Sequence, residues 1–395
     1  MHGRMTCRIA LALAAALAAA APARADFASC VSGLRGPASA RGVSAATFDA
    51  QVGSLQPNME VIGFLDDQPE FKTAIYDYLA QLVDEERVRD GKARMGEWAS
   101  ALTTAQSRYG VDKFTIAAVW GVESDFGKGF GKRPIIQSLA TLSCFGRRQA
   151  FFQGELFAAL QIIEHGDVNP GHFIGSWAGA FGHTQFMPST FLRNAVDLDG
   201  DGHRDVIDSV PDALGSTANY LKKAGWITGL PWGFEVSAPS GYSGSTGRGA
   251  KKAMATWAAQ GFSRVDGGAM GEGSAGLLMP AGRNGPAFLV TRNFDAIYAY
   301  NAAESYALAI ALLSDRLRGG GPLVTAWPVA DRGLSRVERR ELQGLLQQRG
   351  YAIEKIDGVI GTKSRQAIAD YQGKIGKPAD GRPSASVLEA LKGGK

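Results

Sequence analysis

Cysteine is nearly missing from this sequence, with three in 395 residues. So low a count excludes a disulfide-dense mini-domain and a cysteine-rich zinc fold. Histidine is also scarce at five, and His203 has no second His or Cys at metal spacing, so it is not expected to bind zinc. After the first 25 residues no apolar run is long enough to span a bilayer. Charge of one sign is lacking overall, since the formal net charge is only +4. It is unevenly placed: Arg332–Lys395 holds 13 Lys/Arg against 7 Asp/Glu, a net +6. That tail could favour an acidic polymer, but it lacks the aromatic interleaving of a nucleic-acid face.

What is there begins with a leader. His2, Arg4 and Arg8 precede an apolar run from Ile9 to Ala21, and Ala23-Arg24-Ala25 offers a small-residue cleavage site. Residues 1–25 therefore read as a signal peptide, and the mature chain as a soluble periplasmic protein with no integral membrane segment. Cys30 makes a poor lipoprotein site, because the apolar run has already ended and Asp26 intervenes. Cleavage removes Cys7 and leaves Cys30 and Cys144. In an oxidising compartment these two are candidates for a disulfide, the alternative being two buried free thiols.

From Asp26 to Leu230 the apolar periodicity is mostly helical. Helices are expected over Phe71–Val88, over Lys113–Ser124 with Asp112 as N-cap, over Arg147–His165 and over Asp212–Ala224. Gly229–Pro286 turns to Gly, Ser and Pro with short apolar pieces, and suggests a small β-containing lobe. Helix returns over Tyr298–Arg318. Gly319-Gly320-Gly321-Pro322 then opens a linker to residue 334, and residues 335–395 carry three short amphipathic helices. The domain reading is thus 1–25, 26–318, 319–334 and 335–395, in a mainly helical α+β chain of 395 residues, long enough for more than one core.

Glu123 stands out. It ends a helix that is apolar nearly all round: Phe114, Ile116, Ala117, Ala118, Val119, Trp120 and Val122. Such a helix is buried, and a carboxyl group there escapes its desolvation cost most simply by keeping its proton. A protonated carboxylic acid is what donation to a glycosidic oxygen requires. The plainer alternative is an ion-paired structural Glu, with Arg147 or Arg148 as partner. Asp125 is two residues on and does not share Glu123's helix face, so it is expected to brace the turn before Gly127.

The stretches Gly121-Val122-Glu123-Ser124-Asp125-Phe126-Gly127, Ser138–Leu142, Arg147-Arg148, Phe152–Leu156 and Gly175–Ser189 follow one another in the chain. Together they resemble the lytic transglycosylase family typified by membrane-bound lytic transglycosylase B, over roughly Phe27–Arg318. The resemblance implies a lysozyme-like fold with Glu123 as sole catalytic carboxylate. Glu123 would protonate the oxygen between N-acetylmuramic acid and N-acetylglucosamine. It would then deprotonate the muramyl C6 hydroxyl, which closes a 1,6-anhydro ring. No second carboxylate is needed, unlike the usual glycosidase pair. The resemblance also implies substrate contacts from Ser176, Gln185, Tyr220, Tyr300, Asn301, Tyr306, Arg147 and Arg148. Without it, Ser176 and Gln185 read as parts of a glycine-rich turn, Asn301 as a helix N-cap, Tyr220 as a helix-surface residue, and the two arginines as solvated.

Asp197–Asp208 fits a twelve-residue EF-hand loop. Asp197, Asp199, Asp201, Asp205 and Asp208 stand at ligand positions, Gly202 at the turn, and the His203 carbonyl at position seven. Asp in the last place and Arg204 in the eighth predict a weak site, holding Ca²⁺ in a structural role and open to Na⁺ or Mg²⁺. No cofactor is expected for catalysis. The alternative is a solvated acidic turn.

Val337–Leu391 resembles the small peptidoglycan-binding domain, through Glu341–Leu346, the Asp357-Gly358-Val359-Ile360-Gly361 turn and Thr362–Tyr371. It implies a module that tethers a monomeric enzyme to peptidoglycan strands. Two other functions remain to be weighed: a muramidase that adds water, and a wall-binding scaffold without catalysis.

Overall fold

A computed structural model of the chain describes residues 26–66 and 73–394. The proposed leader, and the first residues of the helix expected from Phe71, lie outside them. The chain divides into two compact units. One takes the described residues of 1–68 with Gly127–Asn219, the other those of 69–126 with Tyr220–394.

In the first unit the helices Ile135–Cys144 and Gln149–Glu164 pack together, with Ile135, Leu139, Leu142, Leu156 and Leu160 fully enclosed. Two short antiparallel strands, β1 (Arg133–Pro134) and β2 (Ile174–Gly175), lie beside them. They meet where Gly131 and Gly175 permit close backbone approach: a Cβ at Gly131 would stand 2.0 Å from the Gly175 carbonyl oxygen. Cys30 and Cys144 are joined by a disulfide, with 5.9 Å between their Cα atoms.

In the second unit the helix Lys113–Ser124 starts at Asp112, whose carboxylate accepts from Thr115 N at 3.1 Å. Its face of Ile116, Val119 and Trp120 is fully buried and packs on the helix Glu304–Arg318. At its far end Asp125 and Phe126 both take left-handed backbone, with φ 53° and 57°. That reversal folds the Phe126 ring back onto the helix, where a Cβ on Gly121 would lie 2.5 Å from it.

The region 229–290 forms the β-containing lobe. Its strands β3 (Gly233–Ser237), β4 (Gly247–Ala253), β5 (Ser263–Arg264), β6 (Ser274–Leu278) and β7 (Ala287–Val290) make an antiparallel sheet in the order β4-β6-β7-β3-β5. Its own core gathers Phe234, Trp257, Phe262, Leu277 and Leu289. The last three helices, Arg336–Gln348, Thr362–Lys374 and Ala385–Lys392, enclose Leu342, Leu346, Ile368, Tyr371 and Leu388. A capping box between Ser335 and Glu338 starts the first of them.

Two helix expectations need correction. Phe71–Val88 is not continuous: one helix spans Ile75–Leu82, and Asp84 caps a second at Glu85–Glu97. Tyr298–Arg318 is likewise two helices, Arg292–Tyr298 and Glu304–Arg318, with Tyr300 and Asn301 in the break between them. In both places a cap or left-handed residue, Asp84 or Ala302 (φ 50°), interrupts a pattern whose apolar period runs on. The linker after the left-handed Gly319 is held down, because Val324 N and Thr325 N donate to the Glu235 carboxylate at 2.9 and 2.7 Å.

Candidate active site

Glu123 sits in the last turn of its helix and is half-buried. Across from it stands Tyr306, in the first turn of the Glu304–Arg318 helix and 2% exposed, whose hydroxyl donates to Glu123 Oε1. Burial, and then the neighbouring Glu123 charge, push the Tyr306 phenol well above its ordinary value. The phenol therefore stays protonated and stays a donor, which holds one oxygen of the carboxyl group in place. Tyr300 stacks on Tyr306 with ring centroids 6.2 Å apart, and Tyr220 packs on Tyr300 at 4.7 Å. The Tyr220 hydroxyl donates to the Ala299 carbonyl at 2.6 Å, which ties this row to the break before the Glu304 helix. Four of the expected site residues, Glu123, Tyr220, Tyr300 and Tyr306, thus form one aromatic-lined cluster. Asn301 belongs to the same break; the N-cap of the following helix is Ala303, so the capping alternative for Asn301 does not hold.

Ser176, Gln185, Arg147 and Arg148 belong to the first unit. The Ser176 hydroxyl accepts from Ala180 N at 2.9 Å, and Gln185, itself left-handed at φ 49°, donates through Nε2 to the Gly182 carbonyl at 2.9 Å. Both side chains brace the glycine-rich turn, and the Ser176 backbone N–H closes it onto the Ala180 carbonyl at 2.8 Å. Arg147 donates to the Leu65 carbonyl, and Arg148 lies over the Phe151 ring at 4.4 Å from its centroid.

Asp125 is no spare carboxylate. Arg336 grips both its oxygens and Arg87 lies 3.7 Å away. Neither partner was legible beforehand, since Arg336 lies 211 positions along the chain.

The acidic loop is arranged differently from the twelve-residue template. Oxygens of Asp197, Asp199, Asp201 and Asp212 lie within 4.8 Å of one another, and this is the only such cluster among the described residues. Asp208, placed at position twelve by sequence, instead faces His172, with 2.7 Å between its Oδ2 and Nδ1. Asp205 braces its own turn through Ile207 N at 2.7 Å, and the His203 side chain is exposed. Asp212, four residues beyond the template, is fully buried and accepts from Leu198 N at 2.7 Å and Asp205 N at 2.9 Å. Burial raises its carboxyl to about 6, whereas the Gly202 N–H lowers that of half-buried Asp197. A helix start read from Asp212 hid its role as a loop carboxylate.

An apolar helix that ends in one tyrosine-held carboxyl beside a row of tyrosines sets a half-buried acid among aromatic faces, an arrangement that suits protonation of a sugar linkage. Residues 26–315 match the transglycosylase SLT domain and residues 335–391 the peptidoglycan binding domain. The chain belongs to the transglycosylase SLT family and is related to lytic transglycosylases. It is 33% identical over 239 residues to the membrane-bound lytic murein transglycosylase B of Escherichia coli, covering 59% of this chain and 64% of that protein, just under two thirds of its length. The structure resembles SltB3 of Pseudomonas aeruginosa, solved with NAG-anhNAM-pentapeptide, at 45% identity and TM-score 0.74, over 93% of this chain and 99% of that one. It also resembles the Escherichia coli lytic transglycosylase Slt35, solved with calcium, at 29% identity and TM-score 0.64, over 74% of this chain and 92% of that one. These relatives match the lysozyme-like architecture expected from sequence. Among the described residues no helix is long and apolar enough to cross a membrane.

Proposed function

We infer that this protein is a lytic transglycosylase that cleaves the β-1,4 bond between N-acetylmuramic acid and N-acetylglucosamine in peptidoglycan, and that Glu123 does so alone. The observation that carries the reading is the pairing of carboxyl groups at the helix end: Glu123 is held by a phenol, while Asp125 is neutralised by Arg336. Glu123 gives its proton to the bridging oxygen as the C1–O4 bond breaks. The resulting carboxylate takes the proton of the muramyl C6 hydroxyl as O6 bonds to C1, so the proton count returns to its start and no water is consumed. Asp125, with both oxygens on a guanidinium, is a poor nucleophile for a two-carboxylate route. Tyr306 orients the acid, and the Tyr300 and Tyr220 rings offer apolar faces against which a sugar can pack. Ser176, Gln185, Asn301, Arg147 and Arg148 are the further glycan contacts of this reading. A relative solved with an anhydro-muramyl product supports the same chemistry.

The Asp197, Asp199, Asp201 and Asp212 oxygens suit a hard cation, and we read them as holding structural Ca²⁺, which would neutralise the crowded loop and take no part in bond cleavage. The peptidoglycan-binding domain would keep the enzyme on the wall, and with the leader read from residues 1–25 this supports work in the periplasm.

Digestion of purified sacculi followed by mass spectrometry tests the reading. The protein should release anhydro-muramyl ends, and Glu123→Gln should lose about 10³-fold in rate while still pelleting with sacculi. Reducing ends would make it a hydrolase, and full activity in Glu123→Gln would remove Glu123 from the chemistry.

A further inference from the structure

Two nitrogens of one guanidinium bind two oxygens of one carboxylate at the end of the Glu123 helix. Arg336 Nη1 donates to Asp125 Oδ2 and Nη2 to Oδ1, each at 2.9 Å. Arg336 is the first residue of the Arg336–Gln348 helix, within the peptidoglycan-binding domain. Its backbone N–H donates to Asp84 Oδ2 at 3.0 Å, while Asp84 Oδ1 accepts from Arg87 N at 2.8 Å and so caps the Glu85–Glu97 helix. Arg87 donates in turn to the Gly121 carbonyl, inside the Glu123 helix. Asp84, Arg87 and Arg336 are all buried. A tether needs only a flexible linker and a wall-facing surface. Here the binding domain instead reaches a buried turn two residues from Glu123.

That turn is one the chain does not adopt cheaply. Asp125 and Phe126 are successive left-handed residues that are not glycine, a conformation that persists only where the surroundings over-determine it. The planar fork of Arg336 supplies such a constraint, because it fixes the Asp125 carboxylate in orientation as well as position. Glu123 shares the last turn of the helix, so its direction follows from how that turn is closed.

We propose that Arg336 is a positioning residue for Glu123: docking of the C-terminal domain completes the turn that ends the catalytic helix, and the domain thereby contributes to turnover as well as attachment. The proposal rests on Glu123 being the proton donor.

The test uses the full-length chain on short soluble glycan strands, where attachment to the wall cannot matter, and in parallel on intact sacculi. Arg336→Gln should lower kcat on soluble strands about tenfold, since small misplacements of a catalytic group are costly, with KM and sacculus pelleting unchanged. Arg336→Lys should recover part of the loss, as it restores the charge without the fork. Asp125→Asn should show the same fall, and the Asp125→Asn/Arg336→Gln double variant should fall no further than the worse single, as expected of one shared interaction. Arg340→Gln cuts the 2.6 Å contact of the same helix with Glu86 and should leave kcat unchanged. Should Arg336→Gln fail to fold by circular dichroism, Asp125→Asn carries the test. Unchanged kcat in the folded variant, a loss seen only on sacculi, or an equal loss in Arg340→Gln would each overturn the proposal. A fully active Glu123→Gln would instead remove the reading beneath it, whereas an inactive Glu123→Gln beside an unimpaired Arg336→Gln removes this proposal alone.

Discussion

The turn that ends the Glu123 helix and the loop from Asp197 to Asp212 both crowd carboxylates together, and they stabilise that crowding by different means. At the helix end the protein supplies its own partners: a phenol for Glu123, and guanidinium groups for Asp125. In the loop the partners of Asp197 and Asp212 are backbone N–H groups, Gly202 N and Gly200 N on Asp197, and Leu198 N and Asp205 N on Asp212, while Asp199 accepts from the Ser209 hydroxyl. The one arginine within that loop, Arg204, turns to Asp167 instead, 3.1 Å through Nε. Dipoles orient a carboxylate without cancelling its charge, so the loop still suits an external cation while the helix end does not. On the proposed reading, the carboxyl group that transfers the proton stands beside a neutral donor, and the one that shapes the turn stands beside a fixed charge.

That contrast breaks most plainly if the two regions respond alike to the loss of a carboxylate. Glu123→Gln should cost about 10³-fold in anhydro-muropeptide release, whereas Asp199→Asn at saturating calcium should stay within about twofold of the parent rate. A third kind of carboxyl group gives the next effect. Asp315, half-buried and accepting from the Trp232 indole N–H at 3.0 Å, is raised by desolvation to about 6. The folded state then holds a proton that the unfolded chain, at its usual 3.8, has already released. This stabilisation is complete below about pH 4 and is lost as pH rises to about 6, a fall of up to about 3 kcal/mol. Urea unfolding across that window should show the decline in the parent and a flatter profile in Asp315→Asn.

Chelation should come next. Removing calcium from a protein held at about a hundred times its dissociation constant should lower Tm by about 5 °C. The shift should vanish in an Asp197→Asn/Asp199→Asn variant, and a chelator-insensitive parent would leave the loop an ordinary acidic turn. The smallest of these effects is expected at Tyr306→Phe. Loss of one hydrogen bond to a charged group should cost about 1.5–2 kcal/mol in transition-state stabilisation, or about 10–30-fold in kcat. An unchanged rate would show that packing alone orients Glu123.

Much of this architecture was legible in the sequence. The unbroken apolar surface of Lys113–Ser124, the cap at Asp112 and the reversal near Gly127 are local features, and the structure has all three. So are the Gly- and Ser-rich lobe that forms the five-stranded sheet, and the short helices of the last sixty or so residues. Illegible were the breaks at Val83–Asp84 and at Tyr300–Ala303, because the apolar period continues through both and only the local backbone interrupts it. The surplus of positive charge near the C-terminus also reads differently. Arg336, Arg340 and Arg382 face Asp125, Glu86 and Asp77 of their own unit, so that part of the charge holds the fold together and is not available to an acidic polymer.

Residue type and short-range spacing determined which carboxyl group stands in apolar surroundings, where the acidic loop begins and that a helical module follows a glycine-rich break, since each depends on neighbours within a few turns of the chain. The partners were decided only by the tertiary structure: Tyr306 for Glu123 across 183 positions, Arg336 for Asp125 across 211, and Asp212 beside Asp197, Asp199 and Asp201 in the loop. Hydrogen bonds and ion pairs act over a few ångströms of space whatever the sequence separation. Which donor reaches which oxygen is therefore fixed by how the helices pack.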